Sequence, residues 1–134
     1  MKLVIDASVA VAASANPVGF HRFRLFELIA PPLMWIEATS TLHAMQWRGE
    51  LRNDQAKPML DRVLAAPVQV SEPDGLMREA WAVSEEMGWA KTYDANYVAL
   101  ARVSKCKLVT LDARMRRATA RLGFVIGPAE LGTS

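Results

Sequence analysis

Four acids occupy comparable places in this 134-residue sequence. Asp6 ends the apolar run Leu3-Val4-Ile5, and Glu37 follows "LMWI". Asp94 opens "DANYVALA", and Asp112 follows "LVTL" and opens "ARMRRA". Each stands where a strand's carboxyl end passes into a helix, or at a helix start. An acid at the edge of a core costs free energy unless it caps, pairs or binds something. Taken singly, Asp94 and Asp112 read as helix N-caps and Glu37 as a solvated first-turn acid, roles that favour carboxylates by themselves. Asp6 is harder to explain that way, because a buried strand leads into it. Together the four can converge on one edge crevice of a doubly wound sheet, whereas caps have no need to converge. Converging carboxylates raise one another's pKa unless a cation joins them. All-oxygen ligands with open positions suit Mg²⁺ or Mn²⁺. Such an ion, or a pair of them, lowers the pKa of water and stabilises charge on a phosphoryl group. The chemistry expected is metal-dependent phosphodiester hydrolysis without a nucleophilic side chain.

The elements that must position these acids alternate along the chain. Strands are expected at 2–6, "LMW", "VQV", "KLVTL" and "FVIG". Between them, "SVAVAASA" reads as a short helix stopped by Asn16-Pro17 and Gly19. "FHRFRLFELIA" carries apolar residues at three- and four-residue spacings, which predicts a helix ended by Pro31-Pro32. "IEATSTLHAMQWRG" reads as a helix closed by Gly49, and "NDQAKPMLDRVLAA" as one capped by Asn53 or Asp54. Helices are also expected in "PDGLMREAWAVSEEMG", closed by Gly88, "TYDANYVALARVS" and "DARMRRATARLG". This alternation predicts an α/β sandwich, with a mostly parallel central sheet of about five short strands and helices on both faces.

The segments "VIDASV", "WIEATSTL", "TYDANYVALA" and "LVTLDARM" closely resemble the four motifs of PIN-domain nucleases. Their order, and their reach over nearly the whole chain, are similar to the VapC-like toxins of bacterial toxin–antitoxin pairs. The resemblance implies a single PIN-like domain over 1–134 and a Mg²⁺- or Mn²⁺-dependent endoribonuclease with Asp6, Glu37, Asp94 and Asp112 as its acidic cluster. It implies that Ser8 and Thr110 lend hydroxyls to the site, and that a cognate antitoxin and a homodimer accompany the fold. The family often has Asn three residues after the helix acid. That position is Ser40 here, on the same helical side as Glu37. Two other readings stay open. A PIN-like scaffold could bind RNA or protein without cutting. An aspartate-based phosphatase usually wants a second Asp two residues after its nucleophile, and Ser8 stands there.

Composition bounds these readings. With 51% hydrophobic and 22% charged residues the chain has an ordinary globular balance. No apolar run approaches the roughly 18 residues of a membrane span, and the start of the sequence lacks a secretory signal pattern, so a cytoplasmic protein is expected. The single cysteine, Cys106, reads as a reduced residue beside a strand. The net charge is +2, yet seven basic residues against one acid fall between Arg102 and Arg121. That stretch reads either as a phosphate-tracking face or as a solvated helix surface. Lys91, Arg114 and Arg116 flank the acidic motifs and are the candidate RNA contacts. His21 and His43 lie outside the motif set, and the four tryptophans read as core and rim aromatics. The apolar excess of "GFHRFRLFELI" suits either a partner surface or an internal core.

Overall fold

The computed structural model describes residues 1–131. Its elements run β1 (Lys2–Ile5), α1 (Ala7–Ala13), a 3₁₀ turn (Gly19–Phe23), β2 (Glu27–Ala30), α2 (Leu33–Trp47) and α3 (Asn53–Leu64). They continue with β3 (Val68–Val70), α4 (Leu76–Met87), α5 (Tyr93–Ser104), β4 (Lys107–Val109), α6 (Ala113–Ala118) and β5 (Val125–Ile126). All strand pairs are parallel, in the order β3-β2-β1-β4-β5. Val4 lies between Ile29 and Leu108 in register, so β1 is the central strand. The first half of the chain builds outward from β1 on one side and the second half on the other. The gap between β1 and β4 is therefore the topological switch point, where open parallel sheets form a crevice beyond their carboxyl ends.

Leu3, Val4 and Ile5 are all buried although successive strand residues face opposite ways, so both sheet faces are covered. On one side α1, α2 and α3 pack on one another; elsewhere α4 packs on α5, and α5 lies against β1 and β4. Every residue from Ala95 to Ala101 is buried, which makes α5 a core helix. Gly88 closes α4 with a φ of 69°, a left-handed conformation that suits glycine.

The segment before α2 departs from the sequence-based expectation. "FHRFRLFELIA" is a 3₁₀ turn followed by β2, and "LMW" is the first turn of α2 rather than a strand. Pro31-Pro32 begins a helix instead of ending one, since a fixed φ and a missing amide suit a helix start as well as a stop. The apolar excess there is mostly internal: Phe23, Leu28 and Ile29 are buried and Phe20 and Phe26 pack on the core, leaving Leu25 exposed. The cap of α3 is Arg52, not Asn53 or Asp54. "DARMRRATARLG" gives a helix of six residues and then a 3₁₀ turn. Among the described residues no helix is long and apolar enough to cross a membrane.

Candidate active site

Asp6 leaves β1 at its carboxyl end, 6% exposed, and caps α1 by accepting from the Val9 amide at 3.2 Å. Ser8 Oγ donates to Asp6 Oδ1 at 2.5 Å, and the fully buried Thr110 Oγ1 donates to Asp6 Oδ2. Both hydroxyls also accept backbone amides, Ser8 from Leu111 and Thr110 from Asp112, each at 3.0 Å. One mesh of hydrogen bonds thus ties the end of β1 to the end of β4 across the switch point. Asp112 completes this side by capping α6, its Oδ1 accepting from the amides of Arg114 at 3.0 Å and Met115 at 3.2 Å.

The other two acids have no such structural task. Asp94 lies in the first turn of α5, whose N-cap is Thr92, and caps nothing. Asn96, not Asp94, holds that helix start by donating to the Thr92 carbonyl at 2.8 Å. Glu37 is the fifth residue of α2, past the first turn where an acid would complement the helix dipole. It accepts from the Tyr97 hydroxyl at 2.5 Å. Tyr97 is buried and stands one turn after Asp94 on α5, so one helix presents an acid and the donor that holds another acid. Sequence reasoning missed Tyr97. Its three-residue spacing from Asp94 was the available signal.

The electrostatics join the four. Burial raises Asp6 above the usual carboxylate range, opposed by its three hydrogen bonds and supported by the charge of Asp112. Partial burial raises Glu37, with Asp94 and Asp6 adding to the effect and the Tyr97 hydrogen bond opposing it. Asp94 is raised by desolvation first and by Asp112 second, while Arg114 pulls it down. The Tyr97 hydroxyl is held firmly protonated by burial and by accepting neighbours such as Glu37. The like-charge influences close a ring, Asp6–Asp112–Asp94–Glu37–Asp6. Among the described residues no group of three or more Asp, Glu, His or Cys side chains stands close enough together to hold a metal ion. Mg²⁺ takes few direct carboxylates and keeps several waters, so an open ring of oxygen donors with excess negative charge fits a hard dication.

The remaining expected contributors divide. Ser40 is exposed, and Glu37 is held by Tyr97 rather than by it. Lys91 is exposed. Arg114 is exposed and close enough to Asp94 to influence it. Arg116 is committed elsewhere, in an ion pair with Glu130, which in turn accepts from the Gly127 amide at 3.1 Å. His21 and His43 are both exposed, as are Trp47 and Trp81.

Known proteins resemble this chain in sequence and fold. The PIN domain family matches residues 3–120. The chain is 32% identical to ribonuclease VapC9 of Mycobacterium tuberculosis over 114 residues, spanning 84% of this chain and 87% of that one. It is 33% identical to ribonuclease VapC3 of Pyrobaculum aerophilum over 123 residues, spanning 86% and 92%. The crystal structure of PAE2754 from the same archaeon superposes with a TM-score of 0.76 at 25% identity, over 96% of this chain and 90% of that one.

Proposed function

Because the chain belongs to the PIN-domain family, we propose that it is an endoribonuclease of the VapC kind, with Asp6, Glu37, Asp94 and Asp112 holding Mg²⁺ or Mn²⁺. The observation that carries this reading is Asp6, buried at the carboxyl end of β1 and tied by Ser8 and Thr110 to the end of β4 at the switch point, with Asp112, Asp94 and Glu37 near enough for their charges to influence one another. When bound, the cation supplies Lewis acidity toward water and toward the phosphoryl group being cut. The chain's own residues do the placing. Ser8, Thr110 and the Val9 amide fix both oxygens of Asp6, and the α6 amides fix Asp112. The Tyr97 hydroxyl orients Glu37 and leaves its other oxygen free to face an ion or water. Arg114 supplies a cation beside Asp94 for a substrate phosphate. The VapC names of the relatives further support a toxin restrained by a cognate antitoxin; a homodimer in the cytoplasm is part of the same proposal.

The test is pulsed expression of the protein and of Asp94→Asn in a bacterium, with new RNA 5′ ends mapped across the transcriptome. Growth arrest with discrete new ends from the wild type alone is expected. Equal abundance of both proteins with no new ends would replace this reading with the non-cutting scaffold.

A further inference from the structure

A second feature adjoins the Asp6 and Ser8 hydrogen-bond mesh through Val9 and Leu111. It is a hollow of about 260 Å³, floored by Val9, Ala13 and Phe23 and lipped by Leu111. Two of these residues are wired to the acids. The Val9 amide donates to Asp6, and the Leu111 amide donates to Ser8, which holds Asp6. Leu111 is 49% exposed although it stands between the buried Thr110 and the site residue Asp112. The hollow lies where the 3₁₀ turn closes tightly on α1. A Cβ on Gly19 would overlap the Ala13 carbonyl oxygen, so glycine is required at that approach.

The mouth of the hollow is polar and carries donors. Arg22 lies there, exposed, its guanidinium 5.6 Å from the centre of the Phe23 ring. It forms no ion pair with an acid among the described residues and donates once, to the Pro128 carbonyl at 3.3 Å. A guanidinium has five N–H donors, so most of them face open space. Asn16 also lines the mouth, its side-chain oxygen taken by the Val18 amide and its amide N–H groups without an acceptor among the described residues.

An apolar slot smaller than the roughly 300 Å³ of typical drug-sized sites suits one flat ring system rather than a whole nucleotide. Bases of single-stranded RNA splay out, stack on apolar, aromatic or guanidinium surfaces and bond through their edges. Guanine presents two adjacent acceptors that match an arginine fork. We propose that this hollow receives the base next to the scissile phosphodiester, and that Arg22 selects guanine there. A partner protein's apolar side chain would use the floor, but it would leave the Arg22 donors without acceptors. This assignment rests on the ribonuclease reading and adds to it the part of the site that reads sequence.

The test cuts a pool of RNAs randomised across the cleaved region with purified wild type, Arg22→Ala and Ala12→Leu, in Mn²⁺, and sequences the ends. Ala12 lines the hollow from the exposed side of α1, so leucine narrows the slot without entering the core. Thermal melts of all three proteins establish that they are folded. Wild type is expected to favour guanine at one nucleotide flanking the cut, and both variants to lose about tenfold of that preference while still cutting the pool. Unchanged preference in the variants, no preference in the wild type, or a preference for another base would overturn the proposal. No cutting by the wild type would overturn it together with the ribonuclease reading, which separates the two failures.

Discussion

The acidic ring has two halves built on different terms. Asp6 and Asp112 are held by hydroxyls and backbone amides, and each caps a helix. Glu37 has the Tyr97 hydroxyl as its hydrogen-bond partner, and Asp94 has none among the described residues. The first pair caps helices as well as facing the site; of the second, Glu37 accepts the buried Tyr97 hydroxyl and Asp94 caps nothing. A carboxylate raised by desolvation and a like charge, without a cap or hydrogen-bond partner, marks function more clearly than one that stabilises a helix.

Substitutions can break this contrast. Asp94→Asn is expected to lower RNA cleavage more than a hundredfold, a loss of about 3 kcal/mol or more of transition-state stabilisation. The same change leaves the metal-free melting temperature unchanged or slightly higher, because it removes a charge that partial burial and then Asp112 disfavour. Asp112→Ala is expected to lower cleavage comparably and also to cost about 1 kcal/mol of stability through the lost cap of α6. Matching stability losses in the two variants, read from denaturant midpoints, would erase the distinction between the halves.

Tyr97→Phe keeps the buried ring and removes the hydroxyl that orients Glu37. Mn²⁺ affinity, followed by electron paramagnetic resonance, is expected to fall about tenfold, as for other groups that orient metal ligands. An unchanged affinity would mean that Glu37 needs no orienting partner.

The pH dependence follows from the raised carboxyls. In the metal-free fold Asp6, Glu37 and Asp94 hold protons more tightly than in the unfolded chain. Their favourable contribution is complete below the unfolded values and is lost as pH rises through the folded ones. The melting temperature of metal-free Asp6→Asn should therefore gain on that of the wild type between mildly acidic and neutral pH. Mn²⁺ should reverse the order at neutral pH by binding the ionised wild-type ring. The smallest effect is expected from Arg116→Ala, which breaks an exposed ion pair with Glu130. It should move stability by less than about 1 kcal/mol and leave cleavage rates near those of the wild type.

How much of this was legible in the sequence depended on distance along the chain. β1, α5, β4 and the start of α6 were readable because their signals are local: an apolar run, then an acid, then helical spacing. The fold class followed from the alternation of such units. Residues 20–36 misled because apolar spacing in a 3₁₀ turn plus a strand imitates a helix, and because a proline pair suits either end of one. The resemblance pointed to position 40 as the neighbour of Glu37. The partner of Glu37 is Tyr97, 60 residues away on another helix, a pairing that only the packing of α2 beside α5 creates. The ion pair of Arg116, a candidate RNA contact, with Glu130 was not legible because Glu130 lies beyond an intervening turn and strand.

The most direct measurement of the central claim is calorimetric titration of purified wild type and Asp94→Asn with Mn²⁺ at neutral pH. Saturable binding to the wild type, weakened at least about tenfold in the variant, is the predicted result. Equal affinity in the two proteins, or no binding to a folded wild type, would contradict the assignment of the four carboxylates to a metal centre.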